Sequence, residues 1–413
     1  MIYKNLSISN KAYKETLQNF FNFLVVFSCF AITLPTAWSS IFSGLILITW
    51  MIYGSPIKKV KLAFLNPGLK GTLLLILLYV LAAFYSSTDF SSSIHFLLKY
   101  SKLLLIPLIL GSIDSEKIRN YGINAFLFGM LLTLFISYSK WLNIVPMHIG
   151  INDNGEGFHA FKNRIAHNYL MSFAVYLMLC KSYFSSSYIK WTWLTLSFLG
   201  FYDVFYLVDG RTGQVTLFFL LLFFIFHVFG RKAIKYVGIF FVTFFIFNAQ
   251  LKFLIPERIL NSYNDAISHQ AEKSQTSGGI RLEMYKDTLA MIKNSPFLGY
   301  GTGAYRTEFV KLTSSKDTLL KDTANPHNQY LLTLFELGLV GFFALIYMFF
   351  SHWKCSYKLI HSNEMLSLSM RGLVISMMIG SLFNSLLLDA TEGRFYCLFA
   401  GLLLSAYQIR KKK

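Results

Sequence analysis

The sequence predicts an all-α, polytopic membrane protein with about 12 transmembrane helices. Hydrophobic residues fill 54% of the 413 positions and the mean hydropathy is +0.49. Charged residues make up 14%, against roughly a quarter in an average soluble domain. Apolar runs of bilayer-crossing length recur along the whole chain. A bilayer core offers no water to backbone N–H and C=O groups, so a chain with this many spans must form helices.

Taken in order, the expected spans are 20–36, 38–54, 69–86, 94–112, 120–145, 165–184, 188–208, 213–229, 235–254, 329–351, 367–388 and 394–409. The first follows Lys4, Lys11 and Lys14 and has no A-x-A cleavage signal after it, so it reads as an uncleaved span rather than a removed signal peptide. Orientation comes from the lysines and arginines. The even-numbered connections hold "SPIKKVK" (55–61), "SEKIR" (115–119), Lys181 with Lys190, "GRKAIK" (230–235) and "HWKCSYK" (352–358), and the chain finishes "IRKKK". Short odd-numbered connections such as "SSTDFSSS" (86–93) are poor in lysine. Both ends are therefore expected in the cytoplasm, with the odd connections in the periplasm of a Gram-negative cell. The net charge of +18 fits topogenic residues plus an anionic substrate and does not call for nucleic acid. Cys29, Cys180, Cys355 and Cys397 form no CxxC pair, which leaves neither a disulfide framework nor a zinc site.

The whole chain, 1–413, reads as one transmembrane domain containing one long outward loop, 255–328, far above the usual helix–helix link. Within it, 281–294 places Leu282, Met284, Tyr285, Leu289, Met291 and Ile292 at helical spacing, after Gly278–Gly279 and before Ser295–Pro296. "FLGYGTGAYR" (297–306) is a glycine-rich turn, and 269–279 is polar. "RIAHNYL" (164–170) and "NPHNQYL" (325–331) echo each other too weakly to mark a repeat.

Several polar residues stand at outward span ends. In "NPHNQYL", Asn325 is placed to cap the tenth span with Pro326 at its first position. His327, beside Asn328, is then either part of the cap or a general base titrating near neutral pH. Arg211, in "DGRTGQ" (209–214), either pairs with Asp209 or binds a phosphate-like anion with its forked guanidinium, with Gly210 and Gly213 giving backbone access. Arg281 opens the loop helix, where a cation opposes the helix dipole unless an anion binds there. Lys162, Arg164, Arg258 and Arg306 are further outward basic groups that read as solvated or headgroup-facing. Asp389, with Glu392 and Arg394 nearby, either ends a helix or orients His327 or an arginine. Asp203 lies within a span without an evident partner. No D-x-D, H-E-x-x-H or Walker sequence occurs, and the outward carboxylates are scattered, so arginines rather than a metal are expected to neutralise a leaving diphosphate.

Three of these stretches, "DGRTGQ", "GGIRLEMYKDTLAMIKNSPFLGYGTGAYR" and "NPHNQYLLTLFELGLVGFF", resemble in order the motifs of the O-antigen ligase superfamily. That superfamily comprises lipid A core–O-antigen ligases, related polysaccharide polymerases and pilin O-oligosaccharyltransferases. The resemblance implies a GT-C-type glycosyltransferase without cofactor, metal or nucleotide sugar. It implies functional arginines at Arg211 and Arg281, a motif histidine at His327 and, more loosely, a functional acid at Asp389. His167, in "NRIAHNYL", stands where many members have a smaller residue and receives no role. The implied partners are an undecaprenyl-diphosphate-linked glycan, a lipid A core acceptor and membrane lipids. Within the superfamily an O-antigen polymerase or a protein O-oligosaccharyltransferase remains an alternative. Outside it, a flippase or transporter would more naturally show paired intramembrane charges or inverted repeats.

Overall fold

The computed structural model describes residues 2–148, 157–235, 238, 277–313, 323–360 and 362–409. Among these residues every regular element is helical. The chain runs α1 (Ile2–Ala31), α2 (Thr36–Ile52), α3 (Pro56–Phe64), α4 (Leu69–Phe84), α5 (Phe90–Tyr100), a 3-10 turn (Ser101–Leu104), α6 (Leu105–Leu110), α7 (Glu116–Trp141), α8 (Arg164–Phe184) and α9 (Ser187–Tyr202). A π turn (Asp203–Leu207) leads to α10 (Arg211–Phe229). Then come α11 (Ser277–Asn294), α12 (Tyr305–Thr313), α13 (Gln329–Tyr357), α14 (Glu364–Gly380), α15 (Ala390–Leu404) and α16 (Ala406–Ile409).

Among the described residues, four helical stretches are long and apolar enough to cross a membrane: Phe90–Leu110, Glu116–Trp141, Arg211–Lys235 and Gln329–Tyr357. A fifth is gained if Thr36–Ile52 and Pro56–Phe64, bent by 111°, make one span. The protein is thus a helical, polytopic membrane protein. The expected ninth span, Arg258 and most of the polar tract 269–279 lie outside the described residues.

The bundle packs around α8. Every residue from Ala166 to Met178 is buried, so this helix needs no lipid-facing side and can carry polar groups. Its neighbours include α9, α10 and α14. Asp203, which the sequence left unpartnered, accepts from Ser137 and bonds His167 Nε2 at 2.8 Å, inside the core. Asn168 Nδ2 donates to Val208 O at 2.7 Å and lies near Val204 O and Gly210 O. A side chain at Gly210 or Gly213 would strike Asn168 at about 2.5 Å. These two glycines therefore admit Asn168 and the close α8–α10 packing. All four cysteines are buried and unpaired.

The glycine-rich turn is locked into α13. That helix breaks at Gly338, whose φ is +64°, a left-handed conformation that costs other residues. The break frees backbone groups, and the turn takes them up. Tyr300 and Gly301 N–H donate to Phe335 and Glu336 O, both at 2.9 Å, and Leu339 N–H donates to Pro296 O at 2.8 Å. Buried Glu336 accepts from Gly303 N–H at 2.9 Å and from Tyr100 Oη at 3.1 Å. Gly301 (φ +91°) lies so close to Ser86 that an added Cβ would sit 2.2 Å from its Cα.

Three expected boundaries move. Helix α13 starts at Gln329, capped by Asn328 rather than Asn325, so Pro326 lies outside the helix. The reason is His327, whose φ of +48° no helix accommodates. Gly278 and Gly279 lie within α11 instead of before it. The run 367–388 leaves the helix after Gly380, and residues 381–389 form an irregular segment.

Candidate active site

The segment 381–389 is rich in apolar residues, yet other elements bond its backbone at five of its nine residues. Gln329 N–H donates to Ser381 O at 2.9 Å, and the Gln329 side chain accepts from Leu387 N–H at 2.9 Å. Asn328 Nδ2 donates to Leu382 O at 3.0 Å. Lys102 Nζ, from the 3-10 turn that interrupts Phe90–Leu110, donates to Leu388 O at 2.8 Å and Asp389 O at 2.6 Å. Asn384 Nδ2 donates to Thr212 Oγ1 at 2.8 Å, which ties the segment to the first turn of α10. Non-helical backbone beside membrane spans is tolerated where protein satisfies it in this way.

His327 is built into the same assembly. Asn325 Oδ1 accepts its N–H at 2.9 Å and also accepts from Ser385 Oγ at 2.9 Å. Asn328 then starts α13 by accepting from Tyr330 and Leu331 N–H at 3.0 and 3.1 Å. The left-handed turn between these asparagines leaves the imidazole accessible on the wall of a cavity of about 400 Å³. Its other lining groups include Lys162, Asn163, Asn384, Asp389, Thr391 and Glu392. The surrounding protein, and secondly the Arg281 charge, lower the His327 pKa below the ordinary histidine value. A neutral imidazole is the form that accepts a proton.

The loop helix α11 brings Arg281 to this place. Met284, Thr288 and Met291 face inward, whereas Leu282 and Leu289 are exposed, so the buried stripe is narrower than the apolar spacing implied. Tyr285, one turn after Arg281, places its hydroxyl 3.3 Å from both His327 O and Leu382 O. Burial lowers the Arg281 pKa first, and repulsion from Arg211 lowers it further. Arg211 is the first residue of α10, exposed, with exposed Asp209 two residues earlier. The structure thus makes Arg211, Arg281 and His327 electrostatic neighbours although they lie in three separate stretches of sequence.

Asp389 shares the His327 cavity but approaches from another wall. Burial and then the neighbouring Glu392 charge raise its pKa, against the pull of Lys102. Lys162 Nζ reaches Thr391 Oγ1 at 3.2 Å and Thr36 Oγ1 at 3.4 Å, and burial pushes its pKa down to about 8. Lys162, first read as solvated, is therefore buried at the cavity. Sequence reasoning gave no role to Lys102, Asn384, Gln329 or Glu392. Lys102 carried one usable signal, a cation within an otherwise apolar run.

Residues 195–346 match the family model described as O-antigen ligase. That match supports the O-antigen ligase superfamily. The matched stretch holds Arg211, Arg281 and His327 and ends before Asp389. A curated Haemophilus influenzae protein, described as uncharacterized, is 37% identical over 99 residues, 23% of this chain and 25% of the relative. The alignment thus spans about a quarter of that relative's length.

Proposed function

We propose that this protein is a lipid A core–O-antigen ligase of GT-C type in the bacterial inner membrane. Its donor is a glycan on undecaprenyl diphosphate in the periplasmic leaflet, and its acceptor is a sugar hydroxyl of lipid A core. About 12 spans, cytoplasmic ends and a periplasmic 255–328 loop belong to the same reading. The observation that carries it is the meeting of His327 with Arg281 and Arg211. A base of depressed pKa opens on a cavity, and the Arg281 charge acts on it and on Arg211, which supports a pair of guanidiniums for a diphosphate.

In this reading His327 takes the acceptor O–H proton as that oxygen attacks the anomeric carbon. The bond from the anomeric carbon to the diphosphate oxygen breaks, and its electron pair leaves with the diphosphate. Arg211 and Arg281 meet that developing charge with forked hydrogen bonds and no metal. Attack opposite the leaving group inverts the anomeric centre. Asn328 fixes the His327 turn, and Asp389 and Asn384 line the acceptor side.

The test is transfer from undecaprenyl-diphosphate-linked glycan to rough lipopolysaccharide by the purified protein in detergent. Wild type is expected to transfer, and His327→Ala to lose about 10²–10⁴-fold in rate at normal abundance. Near-normal transfer by the variant would return His327 to a purely structural role. A wild type that lengthens the lipid-linked glycan and ignores lipopolysaccharide is a polymerase, and one that modifies serine or threonine of a protein is an O-oligosaccharyltransferase.

A further inference from the structure

A second cavity, of about 610 Å³, lies outside the machinery described above. Helix α2 forms one wall with Ser40, Ser43, Gly44 and Leu47, positions that share one helix face. Leu98, Leu104, Leu105 and Leu108 of α5, the 3-10 turn and α6 form the opposite wall. Asn325, Asp389 and Ala390 close one end. Asp389 and Ala390 also line the His327 cavity, so the two spaces meet there.

We propose that this groove seats the hydrocarbon anchor of the acceptor, an anionic glycolipid, and delivers its sugar to His327 past Asp389. The inference rests on the ligase reading above. Four observations favour this occupant. Leu47 of α2 faces Leu98, Leu104, Leu105 and Leu108 across the groove, and the outer face of α2 is apolar: Ile41, Leu45 and Ile48 are all exposed, as the side of a span facing lipid would be. Arg394 and exposed Lys99 line it, which matches an anionic lipid and not a neutral one. Neither Arg211 nor Arg281 lines it, so the headgroup of its occupant rests on other cations than those two guanidiniums. Finally, the groove ends at Asn325 and Asp389, which places the polar end of its occupant beside the base.

Gly44 offers a clean way to block the groove. A Cβ there would meet no atom within 4 Å, so a larger side chain enters open space rather than a neighbouring helix. Gly44→Trp is expected to raise the KM for rough lipopolysaccharide about tenfold or more. The deacylated core oligosaccharide should be used equally by variant and wild type, and binding of the lipid-linked glycan should not change. Ile48→Trp, on the exposed face of the same helix and outside the groove, serves as the control and should behave as wild type. An equal loss with both acceptors, no loss with either, or weakened binding of the lipid-linked glycan would each overturn the assignment.

A direct measurement separates this inference from the ligase reading. Benzoylphenylalanine introduced at Leu47 should crosslink to labelled rough lipopolysaccharide when illuminated, whether or not transfer occurs. Crosslinking to the polyprenyl chain of the glycan carrier instead, or to bulk phospholipid alone, would overturn the groove assignment. Failure of wild-type transfer with the lipopolysaccharide crosslink intact would count against the ligase reading and leave the binding site standing.

Discussion

Asn328 performs two tasks that two substitutions can separate. Its side-chain oxygen caps α13 by accepting from Tyr330 and Leu331 N–H, and its amide N–H donates to Leu382 O in the irregular segment. Removing an asparagine cap costs about 1 kcal/mol, within a range of roughly 0.5–2. Losing the tie to Leu382 costs about 0.5–1.5 kcal/mol. The lower part of that range applies, because Tyr285 Oη also lies within 3.3 Å of Leu382 O and keeps that carbonyl from being stranded. Asn328→Ala should therefore lose about 2 kcal/mol in total. Asn328→Asp keeps the capping oxygen at a helix N-terminus, where a carboxylate is favoured, and loses only the tie. Thermal unfolding in detergent should rank wild type first, Asn328→Asp close behind and Asn328→Ala lowest. Glycan transfer should fall in both variants, because each releases 381–389 from the His327 turn. Full transfer by Asn328→Asp would refute the claim that this tie organises the site. Unfolding of Asn328→Ala at the wild-type temperature would refute the cap assignment.

Further outcomes follow from the same geometry. Arg211→Lys and Arg281→Lys should each lose most transfer, since lysine offers a point charge without the fork, while Arg306→Lys serves as the tolerated control; full activity in both would refute the diphosphate clamp. Transfer by wild type should fall as pH drops through a His327 pKa lying below about 6.5, because the neutral imidazole is the base. In the residual activity of Arg281→Gln, the acid limb should move to higher pH without reaching the ordinary value, as burial, the larger cause, persists; an unmoved limb would show that Arg281 does not act on His327. A cysteine at exposed Lys286 of α11 should react with an impermeant thiol reagent in intact spheroplasts, and labelling only after lysis would overturn the topology. Transfer should persist in excess EDTA, and its loss with rescue by magnesium or manganese would overturn the arginine-only account of the leaving group.

The residues that declare themselves in the sequence are those whose chemistry clashes with their surroundings. Arg211 in a tight turn, Arg281 at a helix start and His327 just before an apolar helix are all costly places for such groups, and the Arg281 charge acts on both of the others. What stayed hidden depends on tertiary hydrogen bonding. "SLFNSLLLD" (381–389) has the composition of a span end, and no periodicity reveals that Gln329, Asn328 and Lys102 will occupy its backbone groups. The cap shifted from Asn325 to Asn328 because both asparagines fit the pattern, and the left-handed backbone of His327 decided between them. The twelve-span count drew on apolar length alone, whereas a buried helix such as α8 follows a different rule. Surrounded by protein, it can hold His167 and Asn168 in the middle of the bundle.

The clasp at Gly338 also determines which part of this molecule can be exchanged with a relative. The long loop looks like a cassette between two apolar helices, and a chimera would naturally be cut where α13 begins. Its anchoring points lie further on, at the carbonyls of Phe335 and Glu336, the N–H of Leu339 and the Glu336 carboxylate. A graft that stops at Gln329 would carry Gly299, Gly301 and Gly303 onto a helix lacking the matching break. The transplantable unit therefore runs from the loop through the first eleven residues of α13, and the short connection at Ser86–Thr88, which bonds the same turn, must travel with it.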